Sequence, residues 1–386
     1  MPFVNIDGVR IYWRADGRAD RPALLLGNSL GTDHALWDAV MPTLMERFRV
    51  LRYDMRGHGA SDAPAGDYSI ARLGRDALSV ADAAGATHFS WAGISLGGMV
   101  GMWLGVNAPQ RVTKLVLSNT GAKLDPQIWA DRIEKIKAQG MGAIVDAVMQ
   151  RFFTAAYIER GDARYATVRN TFLSLNAGGY CGCCAAIRDM DQSETIKRIT
   201  ASTLVITGTH DLATPAPLGQ AIAAAIPGAR HASLPVAHLP HLESSRAFCD
   251  LVVGFLLDLG APKTEQQRYE LGLERRKEIL GREYVEARVR NVNPFTAEFQ
   301  NLITRYAWGE IWTRTAFDDR TRRLLVLAMT AALGRWEEYR LHINAGLKAE
   351  LTPQDIKELL LQTAIYCGVP AANTGFHHAQ EYLPKE

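Results

Sequence analysis

Over the first 262 residues, short apolar runs alternate with longer stretches whose apolar positions recur every three or four residues. The runs Ala23-Gly27, Arg49-Tyr53, His88-Gly93, Lys114-Ser118, Thr203-Gly208 and Arg230-Leu234 predict strands. Between them, His34-Glu46, Ala71-Ala84, Met99-Val106 and Ser244-Leu257 predict helices. Such an alternation implies a mostly parallel sheet with helices on both faces. It lapses from about Leu124 to Ile199, where Gln127-Gln139, Gly142-Phe153 and Ala163-Leu175 read as successive helices with no strand between them. Helices inserted between two strands, above their C-terminal ends, form a lid.

After Gly260-Ala261-Pro262 the strand pattern disappears. Thr264-Leu280, Pro294-Tyr306, Asp318-Leu333, Arg335-Lys348, Pro353-Tyr366 and Pro370-Tyr382 all carry helical periodicity. Asn293-Pro294 and Thr352-Pro353 open helices, while Gly334 and Gly368 close them. The fold expected is α/β plus all-α: residues 1–262 with a helical cap at about 124–199, then an all-helical domain over 263–386.

Composition narrows the function classes. A chain of 386 residues has two domains as its natural prior, and 47% apolar with 22% charged residues is ordinary for a globular protein. The net charge of +2 is evenly spread, with 18 basic and 17 acidic residues from Lys263 onward and 25 and 24 before it. Neither part offers a nucleic-acid or polybasic membrane surface. The longest apolar stretch, Leu324 to Leu333, is too short to span a bilayer, and Met1 to Arg21 lacks the apolar core of an export signal. Five cysteines, an odd number, then point to reduced thiols in a cytoplasm. Cys181, Cys183 and Cys184 have no histidine or second cluster to complete a zinc site, so they read as small core residues. No metal site is expected from these cysteines.

Chemistry enters with Gly93-Ile94-Ser95-Leu96-Gly97, which falls between a predicted strand and a predicted helix. A serine on that turn is exposed to substrate above the sheet, and the helix N-terminus points at the reacting centre. The bland alternative is a glycine-rich turn whose serine caps the helix. A serine hydroxyl needs a base, and the base needs an orienting acid, in the chain order Ser, Asp or Glu, His on this type of sheet. Asp211 stands just past the strand Thr203-Gly208, where it reaches a neighbouring loop; its other reading is a helix N-cap before Thr214-Pro215. His238 follows the last strand and is preferred as base over His241, which lies nearer a helix start. The backbone N–H of Leu96, next to the serine, and that of Leu30, in Asn28-Ser29-Leu30-Gly31, are the candidate oxyanion donors.

The turn Asp54-Met55-Arg56-Gly57-His58-Gly59-Ala60-Ser61, the elbow at Ser95, Gly208-Thr209-His210-Asp211 and Ala237 to Glu243 together resemble the α/β-hydrolase superfamily. Asn28 to Asp33 and the cap stretch Tyr180 to Asp191 resemble the 3-oxoadipate enol-lactonases within it. The resemblance covers residues 1–262 and implies that Ser95, Asp211 and His238 form a catalytic triad. The acetate arm of such a lactone needs a partner from the lid, and Trp129 and Arg132 are the candidates, although packing is the equal alternative for Trp129.

In the helical part, Glu338 and His342 are four residues apart and share a helix face, which alone reads as a solvated pair. Asp355 to Asn373, Asn293-Pro294-Phe295-Thr296 and Tyr306 to Glu310 resemble the 4-carboxymuconolactone decarboxylases, over residues 264–386. This implies a decarboxylase site that includes Glu338 and His342; for the cationic groups that the reaction asks for, Arg residues and a protonated His342 tuned by Glu338 are the candidates. The similar AhpD-like peroxidases carry a Cys-x-x-Cys pair, which is missing from this half, so thiol peroxidase chemistry is disfavoured. The two resemblances concern consecutive steps of the protocatechuate branch of the 3-oxoadipate pathway. A bifunctional enzyme acting on small lactones is expected, as a homo-oligomer through its helical domain. The rivals are an esterase or C–C hydrolase with a non-catalytic oligomerising domain, and a ligand-binding sensor.

Overall fold

The computed structural model describes residues 3–259, 265–314 and 316–383. The chain divides into two compact units, Met1–Leu257 and Asp258–Glu386. The division expected at residue 262 and the helix start expected at Thr264 lie outside the described residues.

The first unit is built on eight strands: β1 (Phe3–Ile6), β2 (Val9–Asp16), β3 (Ala23–Gly27), β4 (Arg49–Tyr53), β5 (Phe89–Ile94), β6 (Val112–Ser118), β7 (Ser202–Gly208) and β8 (Arg230–Leu234). Their order is β1-β2-β4-β3-β5-β6-β7-β8, and every pair from β4 to β8 is parallel. Leu24, Leu25 and Leu26 of β3 are fully buried, as a central parallel strand covered on both faces requires. The helix Leu96–Asn107 packs on β5 and β6, and a methyl group on its Gly101 would run into Trp91 and Leu117.

The hairpin β1–β2 was not among the expected strands. Its signal is Asp7-Gly8, both at positive φ (52° and 84°), the dipeptide that favours a tight two-residue turn. The expected helix His34-Glu46 is two pieces, a 3-10 turn His34–Trp37 and the helix Met41–Met45, because Pro42 starts a new helical turn.

Between β6 and β7 the cap helices are Pro126–Gln139, Val145–Phe152, Ala155–Glu159, Ala163–Ser174 and Ala177–Arg188. The last contains the three neighbouring cysteines, all buried, with Cys183 Sγ donating to Arg56 O at 3.7 Å. Periodicity missed this helix because Gly178, Gly179 and Gly182 dilute it. The fold needs two of them: a Cβ at Gly179 would strike the Gly57 backbone and one at Gly182 the Tyr68 ring.

The second unit is helical throughout its described residues: Glu265–Leu280, Arg282–Arg290, Pro294–Ile303, a π-helix Thr304–Ile311, Asp319–Ala332, Trp336–Leu347, Pro353–Cys367 and Val369–Gln380. Capping boxes at Asn293/Thr296 and Thr352/Asp355 fix two of the starts. One apolar cluster gathers Leu327, Tyr339, Ile343, Ile356 and Leu360; another gathers Ile279, Leu280, Val285, Trp308 and Trp312. The π-helix, read from sequence as the end of an α-helix, crosses the helix Glu265–Leu280 where Gly272 meets Thr304 and Gly309 meets Arg268.

Candidate active site

Ser95 directly follows β5 and stands at the N-cap position of the helix Leu96–Asn107 with φ 56° and ψ −116°, a conformation that costs about 1–3 kcal/mol for a residue with a Cβ. The contacts around it enforce the turn. Ser95 N–H donates to Ser118 O at 2.9 Å, Gly97 N–H to Asn28 O at 2.9 Å, and the Thr120 hydroxyl to Ser95 O at 2.8 Å. Trp91 Nε1 donates to Gly97 O at 3.0 Å from the strand below.

Asp211 follows β7 and His238 follows β8, and they meet with His238 Nδ1 2.9 Å from Asp211 Oδ2. Asp211 is buried and heavily solvated by protein groups. Its Oδ1 accepts from the N–H groups of Ala213 (2.8 Å) and Thr214 (3.0 Å). Its Oδ2 also accepts from the Thr214 hydroxyl (2.8 Å) and Asn119 Nδ2 (2.9 Å). Burial pushes the carboxyl up, but the charge and hydrogen bond of His238, with those donors, bring it down to about 2. Asp211 is not a helix N-cap, since the next helix starts at Ala216 with Pro215 in that position; its Oδ1 instead holds the turn before that helix while Oδ2 faces the imidazole. Among the described residues no hydrogen bond joins the Ser95 hydroxyl to His238.

His241 is placed differently. Its Nε2 lies 2.9 Å from Leu36 O, its ring is 4.9 Å from that of Trp37, and burial lowers it to about 3. It is a core residue.

The N–H groups of Leu30 and Leu96 have no hydrogen-bond partner among the described residues. Leu96 is the first residue of its helix, where backbone donors are left over, and Leu30 sits in the loop after β3. A cavity of about 610 Å³ opens beside Leu30, lined by it and His238 together with Trp129, Arg132, Arg151 and Tyr180 of the cap. The Arg132 guanidinium lies over the Trp129 ring at 4.5 Å, with Nη1 3.4 Å from the Tyr180 hydroxyl. Neither Arg132 nor Arg151 forms an ion pair among the described residues.

Two participants were not picked out from the sequence. Asn119, at φ 47°, donates both to Asp211 and to Ala237 O (3.0 Å). Phe152 ends a cap helix, stacks on the His238 ring at 5.3 Å, and its carbonyl accepts the His238 N–H at 3.2 Å. An asparagine directly after a strand end was a findable clue for the first; the second is a tertiary contact.

In the second unit, Glu338 and His342 share the helix Trp336–Leu347 but are not joined. Glu338 is exposed, whereas His342 is buried and stacked on Trp312 (5.8 Å) and Trp308 (6.4 Å), with Nδ1 lacking a partner. Burial, then Arg323, lowers His342 to about 3. The expectation of a protonated His342 tuned by Glu338 is thus corrected: the ring is neutral at neutral pH, and the carboxylate does not touch it. A second cavity of about 590 Å³, lined by Leu324, Leu325, Leu359, Thr363 and Tyr366 among others, lies on a different pair of helices.

Among the described residues no helix is long and apolar enough to cross a membrane, and no three His, Cys, Asp or Glu side chains group as metal ligands.

A family described as alpha/beta hydrolase fold matches residues 22–245, and the carboxymuconolactone decarboxylase family matches residues 297–381. The 3-oxoadipate enol-lactonase 2 of Acinetobacter baylyi is 33% identical over 241 residues, covering 62% of this chain and 90% of that protein. The 4-carboxymuconolactone decarboxylase of the same organism is 43% identical over 117 residues, covering 30% of this chain and 87% of that protein. The crystal structure of the enol-lactonase from Burkholderia xenovorans LB400 superposes with a TM-score of 0.65 at 38% identity, covering 66% of this chain and 99% of that one. The chain is thus a fusion, an α/β hydrolase related to the 3-oxoadipate enol-lactonases followed by a member of the carboxymuconolactone decarboxylase family.

Proposed function

We propose that the chain catalyses two consecutive reactions, decarboxylating 4-carboxymuconolactone to 3-oxoadipate enol-lactone and hydrolysing that lactone to 3-oxoadipate. The observation that carries the hydrolytic half is the bonded Asp211–His238 pair at the end of the sheet that also bears Ser95 and two unspent N–H donors. Ser95 attacks the ring carbonyl while His238 takes its proton, and the N–H groups of Leu96 and Leu30 hold the oxyanion. The leaving group is an enol, which ketonises. Water then attacks the acyl-enzyme, with His238 again as base. Arg132 over Trp129 binds the acetate arm from the cap.

For the helical half, electrons left by departing CO₂ pass through the ring double bond to the lactone carbonyl. The protein must hold the carboxylates, stabilise the dienolate and return a proton to the ring carbon beside the carbonyl. Glu338 and His342 are the residues assigned. Because His342 starts neutral, the dianionic substrate has to draw a proton onto it. The helical unit also assembles copies of the chain: Met329, Leu333, Ile365, Tyr366 and Val369 are each more than half exposed, more apolar surface than a monomer ordinarily shows. We place the activity in the cytoplasm.

The test is Ser95→Ala with freshly generated 4-carboxymuconolactone, followed by NMR and CO₂ release. CO₂ with accumulating enol-lactone is expected. No CO₂ from this variant or the wild type would remove the decarboxylase. Full CO₂ release by both Glu338→Gln and His342→Ala would remove those two assignments.

A further inference from the structure

Two hydrogen bonds bracket Leu30. On one side, Gly97 N–H donates to Asn28 O at 2.9 Å, which ties the loop after β3 to the elbow itself. On the other, Gly31 N–H donates to His58 Nε2 at 3.1 Å. An accepting Nε2 carries no proton, so the ring proton sits on Nδ1, 3.3 Å from the carbonyl of Arg56. His58 is 1% exposed, and burial lowers it to about 4, so the ring is neutral at working pH.

The turn that carries His58 is itself held firmly. Asp54 Oδ2 accepts from Ala60 N–H at 2.8 Å, and the Ser61 hydroxyl donates to Asp54 O at 2.6 Å. Arg56 forms a buried pair with Asp76 at 2.5 Å. In the loop it faces, Asn28 is held by hydrogen bonds with Tyr53 and Trp37 and Ser29 by one from Thr32, whereas Gly31, at φ 87°, has no side chain to bias rotation of the Leu30–Gly31 peptide.

We propose that His58 is a positioning residue of the oxyanion site: its bare Nε2 fixes the Gly31 N–H and thereby aims the neighbouring Leu30 N–H at the developing oxyanion. No assignment above gives His58 a role, and this one rests on the hydrolase reading of Ser95. Without the acceptor the buried Gly31 N–H is left unpaired, and the Leu30–Gly31 peptide has to shift to regain a partner, which displaces the adjoining Leu30 N–H.

The experiment compares the full-length wild type with His58→Leu and His58→Gln on the enol-lactone and on p-nitrophenyl acetate, with Ser95→Ala as the blank. His58→Leu should lower kcat on both substrates by about 10- to 100-fold, with KM within about twofold. His58→Gln offers a side-chain oxygen where Nε2 stood and should recover to within about fivefold of wild type. Turnover of the ester but not the lactone would overturn the lactonase assignment alone, and the His58 effect is then read on the ester. A folded His58→Leu with unchanged kcat overturns the role of His58. Should that variant not fold, nitrogen-15 NMR of the wild-type ring decides: a protonated Nδ1 with a bare Nε2 supports the role, and a protonated Nε2 overturns it.

Discussion

A methyl group at Gly97 would meet the backbone oxygen of Gly27, and one at Gly93 would meet the oxygen of Gly97. Neither neighbour is a flexible side chain, so the backbone of the elbow has to give. Gly97→Ala should therefore cost about 1–3 kcal/mol of stability, read by urea unfolding, and at least about tenfold in lactone turnover as Leu96 N–H moves. Asp211→Asn keeps the shape but alters the hydrogen bond that orients His238, and should lower kcat by about four orders of magnitude. At this scale sequence was informative where chemistry demands a fixed residue type at a fixed offset from a strand end, as for Ser95, Asp211 and His238. It was silent on Phe152 and on the separation of Glu338 from His342. Four-residue spacing puts two side chains on one helix face, yet packing against Trp308 and Trp312 buries one and leaves the other in water.

Among the elements, β3 and β4 have the bounds that apolar runs predict, and the mostly exposed edge strand β8 has its expected bounds without being such a run, whereas the edge hairpin β1–β2 and the helix Ala177–Arg188 do not stand out. Central strands are buried on both faces and read as continuous apolar runs; an edge hairpin alternates and is half exposed. The cap helix Pro126–Gln139 brings Trp129 and Arg132 to the cavity. Its guanidinium contributes a charge-assisted contact only to a substrate with a carboxylate arm. Arg132→Ala should raise KM for the enol-lactone by about 10- to 100-fold and leave a neutral ester of similar size almost unaffected. Equal losses on both substrates would make Arg132 a packing residue of the cap.

For the molecule as a whole, buried neutral histidines set the response to acid. His58 and His241 are lowered from the ordinary 6.5 to about 4 and about 3. On acidification the unfolded chain binds protons that the folded unit refuses. Their contribution is fully present above about pH 7 and is lost as pH falls, by about 4 kcal/mol between pH 7 and pH 5. His34 works in the opposite sense, raised by its hydrogen bond to Asp54, and offsets part of this. His241→Phe keeps the tilted ring contact with Trp37 and should roughly halve the slope of unfolding free energy against pH over that interval. An unchanged slope in chemical denaturation from pH 5 to 7 would count against it. His342 gives the second unit a dependence of the same sign.

By itself the sequence determined the α/β-then-helical architecture, six of the eight strands and a candidate elbow with a candidate acid and two candidate histidines. Each of these is written in local periodicity or in a residue type that chemistry requires at a set position. Only the tertiary structure decided which histidine meets Asp211, that Asn119 and Phe152 hold that pair, and that His342 is neutral. It also decided that His58 reaches Gly31, 27 positions away along the chain. Those facts depend on which loops adjacent strands bring side by side and on how far each ring is removed from water, and neither quantity is a property of neighbours in sequence.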